Sequence, residues 1–222
     1  MVADFGATVV FCTATQPYLK PEWLTGLQPV EIVPEPQKLF DALKRVEINR
    51  EGALSDAALA ERLRNKSRAL VIVNTRAHAL SLYGRVKEGV PEDAVFHLSA
   101  LMCPKHRSEI IEIIRVRLKD KKPCIVVSTQ LIEAGVDIDF PVVYRAEAGL
   151  ESIAQSAGRC NREGAPTPGR FYIFTPEDAR IPPYLEENAN FGREVLKYTS
   201  QEMLRAHFGV FQSTQFSRTA TF

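Results

Sequence analysis

Short apolar runs alternate with stretches of helical spacing along most of this chain. The runs Ala69-L-V-I-V-N-T, Ala94-V-F-H-L-S, Pro123-C-I-V-V-S-T, Pro141-V-V-Y-R-A and Arg170-F-Y-I-F-T are rich in β-branched residues and apolar on both faces. That pattern suits strands buried inside a parallel sheet. Three shorter runs, Ala7–Cys12, Val30–Val33 and Arg45–Ile48, precede them. Helices are predicted over Ser55–Lys66, behind a serine cap, and over Arg76–Glu88. A third follows over Lys105–Lys121, with Ile110, Ile111, Ile113, Ile114 and Leu118 at helical spacing. Glu151–Arg159 and a late stretch, Pro183–Phe208, complete the set. Strand–helix alternation with such connections predicts an α/β fold, a mainly parallel sheet with helices on both faces.

Composition changes this picture little. Of 222 residues, 45% are hydrophobic, and 28 Lys+Arg balance 27 Asp+Glu for a net charge of +1. That excludes a strongly basic nucleic-acid coat but not a local phosphate-binding groove. Cys12, Cys103, Cys124 and Cys160 show no C-x-x-C spacing, which points to reduced thiols in a cytoplasmic protein rather than a zinc site or a disulfide frame. No apolar run approaches the roughly 18 residues of a membrane span, so no membrane partner is expected.

The candidate chemistry lies after the strands, because open α/β sheets bind ligands beyond the carboxyl ends of their strands. Thr13 and Thr15 follow the first run, and Asn74 and Thr75 follow the Ala69 run. Ser99 and Arg107 come after the Ala94 run. Ser128, Thr129, Gly135 and Asp137 follow the Pro123 run, while Gln155, Arg159 and Arg162 come after the Pro141 run and one short helix. Hydroxyls, amides and guanidinium groups are the donors that a phosphate-rich ligand needs. Each residue also has a plainer reading: Thr75 as a helix cap, Gly135 as a turn, Asp137 as a loop cap, the arginines as surface ion pairs.

Taken in order, the segments resemble the second RecA-like domain of superfamily 2 helicases. T-A-T at 13–15 looks like motif III, V-N-T-R at 73–76 like motif IV, S-T-Q-L-I-E-A-G-V-D-I-D-F at 128–140 like motif V, and Q-S-A-G-R-C-N-R-E-G at 155–164 like motif VI. F-C-T-A-T-Q-P, P-x-P-Q-x-L-F-D-A-L-K-R-V-E-I, H-L-S-A-L-M-C-P-K-H-R and N-R-E-G together resemble the CRISPR-associated helicase–nuclease of type I systems. The resemblance covers about residues 7 to 175. Ser156 stands where many superfamily 2 helicases have arginine, a departure that is normal for the CRISPR subgroup. Ala100 stands where an arginine often follows H-x-S.

The resemblance implies a motor whose ATP and Mg²⁺ are held by another domain. In it Arg162 would be the arginine finger beside Arg159, Gln155 would orient water or relay nucleotide state, and Asp137, near Gly135, would meet the ribose. Asn74, Thr75, Ser128 and Thr129 would contact DNA, Thr75 and Thr129 holding its phosphates. Thr13 and Thr15 would couple nucleotide state to the DNA path. Expected partners are single-stranded DNA, a first RecA-like domain, a nuclease domain and the RNA-guided type I surveillance complex. The expected organisation is 1–17 as the end of a first RecA-like domain, 18–180 as the second, and 181–222 as a C-terminal helix and tail. The chain contains no G-x-x-x-x-G-K-[ST] phosphate loop. Alone, it is therefore expected to show neither ATPase nor nuclease activity and to bind no ATP or Mg²⁺. Two other readings are half of a superfamily 2 helicase outside CRISPR defence, and a non-catalytic DNA- or protein-binding module.

Overall fold

The computed structural model describes residues 45–198 apart from Ala134, together with a few isolated positions before residue 45. The expected strands at 7–12 and 30–33, and the helix beyond residue 198, lie outside the described residues, as do Thr13 and Thr15. Lys44–Gln201 gather into one compact unit.

Within residues 46–198 six strands alternate with five α-helices. They are β1 (Val46–Leu54), α1 (Asp56–Arg64), β2 (Arg68–Ile72), α2 (Arg76–Lys87), β3 (Val95–Leu98), α3 (Pro104–Lys119), β4 (Cys124–Ser128), β5 (Val142–Ala146), α4 (Leu150–Ala157), β6 (Gly169–Pro176) and α5 (Pro183–Tyr198). All pairings are parallel, in the order β1-β6-β5-β2-β4-β3. The sheet carries helices on both faces, as the alternation predicts. Ser55 and Thr75 cap α1 and α2 by accepting from the N–H groups of Ala58 and His78.

The central strands are the ones whose sequence is apolar on both faces. Ala69 and Val71 of β2, and Val73 just beyond it, meet Leu59, Leu63, Leu82 and Val86 of α1 and α2 in one core. On the opposite face lie Leu70, Ile72, Val126, Val143, Phe171 and, from α3, Ile114, all buried. Each such aliphatic side chain contributes about 1.5–3 kcal/mol when taken out of water.

One strand is longer than the pattern predicts. The short run Arg45–Ile48 is the start of β1, which continues through polar Asn49-R-E-G to Leu54. An edge strand needs one buried face only, and the register with β6 shifts between Arg50 and Gly52, where Gly52 has φ +69°. A bulge of this kind disrupts the two-residue alternation by which a strand is read.

Candidate functional site

The expected site residues fall into two groups at opposite ends of the sheet. Asn74, Thr75 and Thr129 lie at the carboxyl ends of β2 and β4 and line one open cleft of about 800 Å³. Ser99, beyond β3, and His97 border it as well. Ser128 is fully buried, and its hydroxyl donates to the Leu98 and Thr129 carbonyls, so it braces the cleft from behind. Thr75 Oγ1 accepts from the His78 N–H at 3.1 Å. Behind it, His78 Nε2 and Asp56 Oδ1 meet at 2.7 Å, both buried, and tie the first turns of α1 and α2 together. His97 Nε2 is buried without a hydrogen-bond partner among the described residues, and burial lowers the pKa of its imidazole.

The arginine pair sits at the amino ends of β1, β5 and β6. After α4 the chain turns at Gly158, and Cys160 bridges to Phe140, just ahead of β5. Asn161, at φ +47°, donates through its amide to the carbonyls of Arg45, Ala165 and Thr167, closing the loop over the start of β1. Asp139 accepts from the Arg162 N–H at 2.7 Å. The side chain of Arg162 is 46% exposed and pairs through Nε with Asp137 at 2.7 Å. Gly135 is exposed at φ +72° on the turn leading to Asp137. Gln155 is half-buried, its amide 3.5 Å from Glu151 Oε1. Arg159 is only 8% exposed and donates to the carbonyls of Ile132 and Glu133. Burial lowers its pKa, and the neighbouring Arg162 charge adds to that, while Asp137 and Glu133 oppose it.

β6 must begin with glycine for this loop to close. A Cβ on Gly169 would stand 2.6 Å from Cys160 Sγ and 2.8 Å from Asn161 Cβ. Gly169→Ala is expected to destabilise the fold by about 1–3 kcal/mol through overcrowding. Urea unfolding measures it, and an unchanged midpoint would mean that the loop has room to give.

Between the two ends runs a buried polar network with no counterpart among the sequence expectations. Arg145, on β5, is fully buried. Its Nη1 donates to Asn74 Oδ1 at 2.8 Å and to the Ala146 carbonyl at 2.9 Å, and its Nη2 to Ser152 Oγ at 2.8 Å. Its Nε stands 3.0 Å from Glu133 Oε1, an ion pair whose N–H is not aligned as a hydrogen bond. Ser152 in turn donates to the Glu133 carboxylate at 2.7 Å, and Ser156 donates to Glu133 Oε1 at 3.0 Å. Burial lowers the Arg145 pKa, and the Glu133 carboxylate opposes that shift. Ser156 is fully buried against Glu133, which accounts for a short hydroxyl side chain at this position. A signal was present in the sequence, since an arginine in an otherwise apolar run needs a buried partner. Nothing local said which carboxylate that would be.

This six-stranded all-parallel sheet, with a polar cleft at one end and an arginine-bearing loop at the other, is a RecA-like α/β domain. Residues 65–165 match the family model of the CRISPR-associated nuclease/helicase Cas3, C-terminal. Over that stretch the chain is similar to the C-terminal helicase domain of the Cas3 family. It is 42% identical over 83 residues to the CRISPR-associated nuclease/helicase Cas3 of Haloferax volcanii, an alignment covering 36% of this chain and 9% of that protein. To the protein of the same name from Methanothermobacter thermautotrophicus it is 32% identical over 123 residues, covering 52% of this chain and 14% of that one. The matched region is thus a small part of either relative. Among solved structures, T. fusca Cas3-ADP shares the fold at TM-score 0.51 and 21% identity, over 70% of this chain and 20% of that one. A chain of a CRISPR RNA-guided surveillance complex in a pre-nicking state does so at TM-score 0.55 and 18% identity, over 74% and 25%.

The donor set suits a nucleotide's phosphates only in part. Arg162 presents an exposed planar fork of the kind that receives phosphate oxygens. Among the described residues no group of three or more His, Cys, Asp or Glu could hold a metal ion, and no helix is long and apolar enough to cross a membrane.

Proposed function

We propose that this chain is the C-terminal motor half of an ATP-dependent DNA helicase–nuclease of type I CRISPR interference. It acts with a first RecA-like domain, which holds ATP and Mg²⁺, with a nuclease domain, and with the RNA-guided surveillance complex, in the cytoplasm. The organisation proposed is residues 1–17 with the first RecA-like domain, 18–180 as the second, and 181–222 as the closing helix and tail. The observation that carries this reading is the turn 129–133. Thr129, Gln130 and Leu131 line the cleft, while Ile132 and Glu133 receive Arg159, and the Glu133 carboxylate receives Ser152 and Ser156 of α4. One short turn therefore touches both the cleft and the helix that ends in the arginine loop. A shift at either end is felt at the other through packed, hydrogen-bonded contacts.

In this reading Arg162 exchanges its exposed partner Asp137 for phosphate oxygens, and Arg159 holds the loop in place from its buried position. ATP supplies a phosphoryl group whose transfer gains from added positive charge. Gln155 orients water or relays nucleotide state. Thr13 and Thr15 remain assigned to coupling by resemblance alone. The test is an ATPase assay with and without single-stranded DNA. The chain alone should show no turnover, and addition of a phosphate-loop domain should produce DNA-stimulated turnover. Stimulated turnover by the chain alone would overturn the division of labour.

The cleft makes a second expectation. Thr129→Ala lowers affinity for single-stranded DNA about fivefold, the worth of one hydrogen bond near 1 kcal/mol. The loss is uniform across DNA sequences, because phosphate contacts carry no sequence information. Thr75→Ala should do the same but also removes the α2 cap, at about 1 kcal/mol of stability. Thr75→Ser, which keeps the hydroxyl, is its control. A loss confined to one DNA sequence would count against phosphate contact.

A further inference from the structure

The cleft at the carboxyl end of the sheet has a second wall, and it is apolar. Tyr184, Leu101 and Leu80 border it and are 78%, 73% and 60% exposed. Scattered exposed leucines are ordinary, but three large apolar side chains drawn from three separate segments around one polar cleft mark a binding surface. Tyr184 is the second residue of α5, directly after Pro182 and Pro183, whose rings fix the backbone entering the helix. The Leu185 N–H donates to the Pro182 carbonyl at 2.8 Å and closes that turn. The ring is thus carried on a pre-ordered backbone, which reduces the entropy lost on binding.

The two walls together select the occupant. A protein segment that covered the apolar wall would also cover half-buried Thr75 and exposed Arg76, whose hydroxyl and guanidinium groups would then each need a partner. A duplex could offer phosphates to those groups but keeps its base faces stacked inside. A single strand offers both, phosphates to the donors and π-faces to the ring. Charge agrees: exposed Arg76 lines the cleft, and among the described residues that line it there is no carboxylate.

We propose that Tyr184, backed by Leu101, is a base-stacking platform that holds the bases of a single DNA strand whose phosphates lie along Thr75 and Thr129. This rests on the DNA-binding reading above and adds to it a contact with the bases that is independent of their sequence. Stacking on an aromatic side chain tolerates any base and is worth about tenfold or more in affinity.

The test uses the 222-residue chain at low ionic strength, with fluorescence anisotropy of a labelled oligothymidylate and of an abasic oligomer of the same length. Tyr184→Ala is expected to lower affinity for oligothymidylate about tenfold and leave affinity for the abasic oligomer unchanged. Tyr184→Phe keeps the ring and retains binding to both. Thr129→Ala weakens both oligomers alike, since its contact is to the backbone. Equal affinity of Tyr184→Ala and the natural chain for oligothymidylate would overturn the platform. So would an equal loss on the abasic oligomer, which would mean that the ring acts on the backbone or the fold. If the natural chain bound neither oligomer while its melting curve stayed cooperative, the DNA-binding reading itself would fail, and the platform with it.

Discussion

Arg162→Ala is expected to lower ATP turnover on the order of 10³-fold or more in the assembled motor, while ATP binding is retained. A finger acts on charge that develops in the transition state, so its removal lowers turnover more than ground-state affinity. Arg162→Lys should fail to rescue, because a point charge cannot reproduce the two-pronged contact of a guanidinium. The structure makes the experiment clean. Arg162 is half-exposed and, among the described residues, its side chain pairs with exposed Asp137, so the alanine variant should melt with the natural chain. Arg159→Ala is a different experiment, since it strips buried donors from the carbonyls of Ile132 and Glu133. More than about half of the natural turnover left in Arg162→Ala would show that this residue is not the finger.

Glu133→Ala is expected to destabilise the fold by about 3–5 kcal/mol, because it leaves the Arg145 guanidinium buried without its counter-charge. Ser152 and Ser156 lose an acceptor at the same time. The double variant Glu133→Leu with Arg145→Met should recover most of that loss, since a buried ion pair replaced by apolar residues of similar volume is often neutral or stabilising. Urea unfolding of the three proteins measures the set. A loss under about 1 kcal/mol for Glu133→Ala would mean that water reaches Arg145 and the pair is not buried in solution. The double variant has a second use. If the network carries signals between the cleft and the arginine loop, the repaired protein will be stable yet will lose DNA stimulation of turnover in the assembled motor.

The order of elements was legible from residues alone. Strands such as β2 and β4 are five residues long and buried on both faces, so a run of apolar residues is all they require. The helices α1 and α2 announce themselves by a hydroxyl cap and a leucine stripe, both local features. The polar half of β1 was not legible, because an edge strand with a bulge has one buried face and an interrupted period. The chemistry-bearing segments were equally visible as residue types following strands. Their arrangement was not. The rule that ligands lie beyond the carboxyl ends describes the cleft of Asn74 and Thr129, but α4 carries the chain back to the opposite end, and there Cys160 pairs beside Phe140. Which carboxylate neutralises Arg145, which turn links cleft to arginine loop, and which aromatic ring faces the hydroxyls all depend on residues far apart in the chain. Local patterns record burial and backbone preference at each position. Distances between distant side chains are set only when the sheet closes and the helices pack against it.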